Sequence, residues 1–469
     1  MTPAAPPAPR WVRAGDAAAL AAVVAIHALG FLNWGLAGYG LARGAAWALC
    51  ALLGAWGAWG WACGRLDGDD AAPLRWLARF FLAAAALASL QLAPLPLGLA
   101  SANPLWREAL AAFQDAGLAP PDSLPWALAP GRAALGWHQL AASALFVLGI
   151  APMLTRRTVA ARLLAVVVCA SLLEGVLGLG SYALRGAERA RGALFNPNHH
   201  AALAVMGIPL ALAVCAQWHR RSTSNAPGPP VLALAALILA ALVGWLAAFS
   251  RSSLVLGGGV LIAWALRERA LWQRGRGAGA PQGSHAALAA AALLLLLTGA
   301  ASLADRYASR FRELEGIERI DRVDMWFATL RGLRATNYGG MGIGGAEHAL
   351  NRFATVPTAT TAVFTHNDWV QWLGELGVPV CALLALLALR WFAAWIEARR
   401  DWSVRWSIRE QMIRRAAAAG CAITLAHAAT DFHLRIPLVG FQFLALLALT
   451  CSPALERVFP SPARGGAVD

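Results

Sequence analysis

Lysine is absent from the 469 residues, so the 39 basic side chains other than histidine are all arginine. Alanine, glycine and tryptophan are also heavily used, the pattern of a GC-rich coding bias, and one arginine means little until its neighbours are considered. Charge of either sign is sparse: 14% of residues are charged against 59% hydrophobic, with mean hydropathy +0.55. Those values exclude a soluble domain of this length and imply a polytopic membrane protein. The net charge of +14 does not indicate a nucleic-acid partner, because the arginines are spread among short connections and form no single basic module. The seven cysteines all fall in apolar segments, where thiols act as small packing residues, so neither a disulfide nor a metal cluster is expected. The chain also lacks a cleavable-signal pattern, an evident repeat and an HExxH motif.

What is present is a series of long apolar runs. A bilayer core of about 30 Å needs roughly 20 apolar residues in helix, and that ruler gives about twelve spans. The expected organisation is a disordered cytoplasmic leader over 1–16 and nine spans over 17–303 with an outer loop at 94–136. A large outer loop at 304–368, three spans over 369–452 and a cytoplasmic tail at 453–469 follow. The sixth span is expected from His200 to Gln217, the seventh from Val231 to Phe249, the eighth from Leu254 to Leu266, the ninth from Ala286 to Leu303, and the tenth from Trp369. Arg251 sits between the seventh and eighth with almost no loop, which implies a tight hairpin or a broken helix. Arginines such as Arg65, Arg75, Arg156, Arg157, Arg220 and Arg221 gather in alternate loops, and the positive-inside rule then puts both termini in the cytoplasm. The loop at 94–136, rich in proline and tryptophan, reads as a packed interfacial lid without chemistry.

On that topology four polar stretches share the outer face: RARGALFNPNHHAAL, FSRSS, the large loop ending in THNDW, and HAATDFHLRIP. Polar residues at one membrane depth are costly and usually functional. Arg251 offers a fork of donors suited to phosphate, or else snorkels to lipid headgroups. Arg322 has Asp321 and Asp324 beside it, so a surface ion pair competes with a binding role. His366 is placed to take a proton from an attacking hydroxyl, or to cap the helix that follows; Glu375 lies two turns further on. Arg191, Asn198, His199 and Asn367 would support the same cavity. His199 and His200 are neighbours on a helix and do not face one another, so they make no metal pair. The glycine run from Gly339 to Gly345 opens no βαβ unit and is no nucleotide motif; it reads as a tight turn where backbone approaches substrate. His427, Asp431 and His433 read as a satisfied polar bend, with support of the site as the alternative.

The pieces FNPNHHAAL, FSRSSLVL, RVDMWFATL with GGMGIGG, THNDWVQWLGELGVP and HAATDFHLRIP, in this order, resemble the O-antigen ligase and polymerase superfamily of bacterial inner-membrane glycan transferases. The resemblance implies an all-α polytopic, GT-C-like fold with a large periplasmic loop over a cavity. It implies a donor glycan on undecaprenyl diphosphate and an acceptor hydroxyl on lipid A core or another glycan, with no cofactor and no metal. Arg251, Arg322 and His366 fall on the family's functional positions, and the mechanism expected from them has the two arginines hold the diphosphate while His366 orients or deprotonates the acceptor hydroxyl. THNDW stands where many relatives have a second histidine or a tyrosine, and SRSS where a glycine often follows; both bear on acceptor choice. Within the superfamily a polymerase and a protein O-oligosaccharyltransferase remain alternatives. From another class, a solute transporter fits about twelve spans with intramembrane histidines, although transporters place polar residues at the midplane in broken helices.

Overall fold

In lipid every backbone N–H and C=O must be satisfied within the chain, so apolar runs of this length can only coil into helices. The computed structural model describes residues 9–36, 40–221, 228–274, 304–309, 317–355, 363–406, 411–455 and 458. Among the described residues, eight helices are long and apolar enough to cross a membrane. In chain order the first helices are α1 (Arg10–Leu32), α2 (Leu41–Ala62), α3 (Ala72–Leu90), the short α4 (Leu97–Ala100) and α5 (Pro104–Asp115), α6 (Pro130–Ile150) and α7 (Arg157–Ala183). Then come α8 (Pro197–Met206), α9 (Ile208–Arg221), α10 (Pro229–Leu246), α11 (Gly258–Arg274), α12 (Ile317–Ala335), α13 (Ala346–Phe353), α14 (Asp368–Arg405), α15 (Met412–His427) and α16 (Pro437–Cys451). The all-α membrane architecture expected from composition is what the chain adopts.

Where helices cross closely, small residues permit it, as packing in lipid requires. A Cβ on Gly57 would lie 2.1 Å from the Leu148 carbonyl oxygen, and one on Gly244 1.9 Å from that of Gly175. These contacts draw α2 against α6 and α7 against α10.

The span inventory differs from the ruler's count of about twelve. The ninth expected span, Ala286 to Leu303, lies outside the described residues. The sixth is two helices, α8 and α9, meeting at Gly207, where Ser171 Oγ would be 2.3 Å from an added Cβ. The eighth is longer than its apolar run: helix begins at Arg251, passes through a π segment (Ser253–Gly257) and continues to Arg274. The connection to α10 is only the turn over 247–250, so the hairpin expected there exists. Both α15 and α16 are shorter than the ruler. The leader expected over 1–16 is helical from Arg10, because Asp16 is buried and accepts from Arg65 (2.9 Å), Trp56 (3.1 Å) and Arg156, anchoring α1 about two turns earlier than hydropathy suggests.

The loop at 94–136 supplies a sheet, a two-stranded antiparallel pair of β1 (Pro94–Pro96) and β2 (Ser123–Pro125). Just before it, the Gln91 carboxamide accepts from Ile343 N (3.1 Å) and donates to Glu375 O (3.3 Å), while Trp126 Nε1 donates to Gly340 O (2.9 Å). The lid thus packs on the glycine run. The tight turn expected of that run packs against the lid and α14, its backbone turned into the protein. Gly340 (φ 86°) and Gly377 (φ 81°) lie backbone to backbone, and Gly377 marks the kink of α14, two residues before Pro379. Gly340→Ala would put a Cβ 2.5 Å from Gly377 N in a left-handed conformation. Strain plus overpacking predict a loss of roughly 2–5 kcal/mol, read as a lower thermal unfolding midpoint in detergent.

Candidate functional site

Four chain segments meet at one end of the helix bundle, and the bend between α15 and α16 is their centre. Asp431, fully buried there, uses both carboxylate oxygens. Oδ1 accepts from His366 Nδ1 (3.1 Å) and from the Phe432 amide (3.0 Å); Oδ2 accepts from Asn198 Nδ2 (2.9 Å). Burial alone would raise this carboxyl, but the hydrogen bond from His366 leads the interactions that hold the group well below the usual carboxylate range. Asp431 therefore remains an anion that accepts and never donates.

A second tier of histidines lies behind the first. His199 Nδ1 and His433 Nδ1 share a hydrogen bond of 2.9 Å, and the His427 and His433 rings are 3.9 Å apart between centroids. Burial leads the interactions that hold His433 well below the ordinary histidine value, against the opposing pull of Asp431. His427 Nε2 bonds Ser252 Oγ at 2.9 Å. Arg322 Nη1 donates to Thr430 O (3.2 Å), capping the same bend.

His366 itself sits in the left-handed region (φ 54°), immediately before Asn367, whose side chain caps α14 by accepting from Val370 N at 3.1 Å. Such a conformation in a non-glycine residue is uncommon, and at a cluster of polar groups it is the kind of strain that functional sites hold. With Nδ1 on Asp431 and the ring edge against Phe432 (4.9 Å), Nε2 is the nitrogen left for another partner, and the side chain keeps 27% of its surface exposed. A reacting group can reach it. Beneath it, Arg435 pairs with Glu375 (2.8 Å), and Gln371 joins Glu375 Oε1 (2.8 Å) to the Thr365 amide (3.0 Å), so the chain entering His366 is fixed by a buried polar network. Such a network specifies one geometry more than it adds stability.

The structure places the sequence-predicted residues unequally. His366, Asn198, His199 and Arg322 join the Asp431 bend directly. Arg251 stands at the head of its helix, one residue before the Ser252 that His427 holds. Asn367, expected to support the cavity, is the side chain that caps α14. Arg191 is exposed, with its guanidinium 5.9 Å from the Phe195 ring. Its neighbour Arg189 does what was expected of Arg191: it donates to Asn198 Oδ1 (3.1 Å) and to Ala248 O (2.9 Å), tying the Asp431 half to the Arg251 turn. Asp324 takes Arg331 (2.7 Å) and Thr355, so the ion pair that competed for Arg322 has its own cation. Glu375 serves Arg435 and not His366. Asp431, His427 and Arg189 were undervalued; the available signal was an acid flanked by two histidines inside an otherwise apolar stretch.

A family model for O-antigen ligase, Wzy_C, matches residues 235–385. That segment, about a third of the chain, is similar to the O-antigen ligase family. No curated protein and no solved structure matches it. The O-antigen ligase match spans Arg251, Arg322 and His366 and supports membership of that superfamily of membrane glycosyltransferases, as the motifs implied. Asn198, His199, Asp431 and His433 lie outside the matched segment, and it is the fold that brings them beside His366 and Arg322.

Proposed function

We propose that this chain transfers a glycan from undecaprenyl diphosphate to an acceptor hydroxyl, on lipid A core or on another glycan, at the periplasmic face of the bacterial inner membrane, with both termini cytoplasmic. The observation that carries the reading is the meeting of His366, Asp431, Asn198, Arg322 and the Arg251 turn in one hydrogen-bonded cluster. His366 Nε2 takes the proton of the acceptor hydroxyl as its oxygen bonds to the anomeric carbon. The bond from that carbon to the diphosphate oxygen breaks, and undecaprenyl diphosphate leaves with the electron pair. Asp431 orients the ring and offsets the imidazolium that forms. Arg251 and Arg322 meet the charge growing on the diphosphate; at an effective dielectric of 20 a close charge pair is worth about 4 kcal/mol before desolvation. In this reading guanidinium groups do what a divalent cation does elsewhere, and neither a metal nor a nucleotide takes part.

Among the supporting residues, Asn198 and His199 act through Asp431 and His433, and Asn367 through the start of α14. Arg191, exposed at the rim, is assigned to outer contacts of the donor. Arg322→Ala should raise the KM for lipid-linked donor about tenfold, the loss of one charge-assisted hydrogen bond, while acceptor KM stays fixed. Steady-state transfer by purified protein in nanodiscs measures both; unchanged donor kinetics would remove Arg322 from the site.

A further inference from the structure

Three aromatic rings meet over the turn that carries Arg251. Phe249, at φ 48°, sets its ring 5.9 Å from Tyr182 at the end of α7 and 5.2 Å from Tyr307 in the helical turn over 304–309. Tyr307 is anchored by its hydroxyl, which donates to Leu246 O at 2.8 Å. On this platform lies the exposed Arg306, its guanidinium carbon 5.6 Å from the Tyr182 centroid and 5.8 Å from that of Phe249. Below the platform Arg189 bonds the carbonyls of Ala248 and Phe249 and fixes the turn.

Stacking occupies the faces of a guanidinium and leaves its N–H edges in plane for an oxyanion; an ammonium group has no such face. Two rings therefore orient Arg306 without burying it, and one of them, Phe249, is two residues along the chain from Arg251. A diphosphate carries several negative charges over two groups of oxygens, more than one fork of donors can meet.

We propose that Arg306 is a further donor-binding residue, holding the diphosphate of the lipid-linked donor together with Arg251. This rests on the proposed function, in which His366 is the base and Arg251 a diphosphate ligand. The headgroup of a bulk anionic phospholipid offers the same phosphate chemistry, and the test separates the two.

Transfer would be measured in nanodiscs for Arg306→Ala, Arg306→Lys, Tyr182→Leu and, in parallel, His366→Ala. Undecaprenyl diphosphate without glycan serves as the product inhibitor, and the phosphatidylglycerol content is varied. Arg306→Ala should raise donor KM and the inhibition constant of undecaprenyl diphosphate together, each about tenfold or more, with acceptor KM and the thermal midpoint unchanged. Arg306→Lys should not restore them, and Tyr182→Leu should move both in the same direction by less. Unaltered donor KM and inhibition in Arg306→Ala, with His366→Ala inactive, overturns this inference and leaves the proposed function standing. An effect that follows phosphatidylglycerol content, with inhibition unchanged, assigns Arg306 to bulk lipid and also overturns it. Native transfer by His366→Ala would instead bring down the reading on which it rests.

Discussion

His366→Ala is expected to lower kcat for glycan transfer by 10² to 10⁴, the range typical for loss of a positioned general base, while the protein still inserts and purifies. The geometry separates function from folding at this residue. The ring keeps 27% of its surface exposed, so the space that truncation leaves is open to solvent. Two modest costs remain. Asp431 loses one of its three donors, and alanine must adopt the left-handed conformation that His366 occupies. Each is worth about 1 kcal/mol, visible as a small drop in the thermal midpoint. The bend survives because Asn198 and the Phe432 amide still satisfy Asp431, and because Arg435, Glu375 and Gln371 still hold the approach to position 366. Transfer at the native rate with the ring gone would eliminate the general-base role outright.

How far the sequence could be read follows from the range of the interactions concerned. Apolar runs are local, so most helices were legible; the spans missed in detail, such as the start of α1 and the break at Gly207, depend on Asp16 meeting Arg65 and on Ser171 crowding a glycine. The four polar stretches were legible as a group, since each sits where an apolar run begins or ends. Their internal order was not. Asn198 and Asp431 are 233 positions apart, and no local pattern says that this acid accepts from both Asn198 and His366. For the same reason Arg189 and Arg191, two residues apart on one loop, could not be told apart until Ala248 was seen to lie beside the first. The glycine run was legible in part: its turn was recognised, but the packing of its tight backbone on α14 depended on Gly377, more than thirty positions away.

Asp431→Asn should reduce kcat by a comparable 10² to 10⁴, since neutralising the carboxylate partner of a catalytic histidine costs up to about 10⁴ elsewhere, although the side chains are nearly isosteric. Phe432 N donates to Oδ1 and Asn198 Nδ2 to Oδ2, so the aspartate position requires an acceptor on both sides. An asparagine provides one. If its oxygen keeps the Phe432 and His366 side, its NH₂ opposes the NH₂ of Asn198. Turning the Asn198 amide to relieve this removes the oxygen that accepts from Arg189 and loosens the tie to the Arg251 turn. If the amide is reversed, the NH₂ faces His366 Nδ1 and favours the tautomer with the proton on Nε2, which then has no lone pair for the acceptor hydroxyl. In either arrangement the negative charge that offsets a forming imidazolium is gone. The substitution should therefore depress kcat much more than donor KM, whereas Arg322→Ala acts on donor KM. Single-turnover transfer by the two variants measures that division, and an Asp431→Asn protein with native kcat would show that the buried carboxylate only shapes the bend.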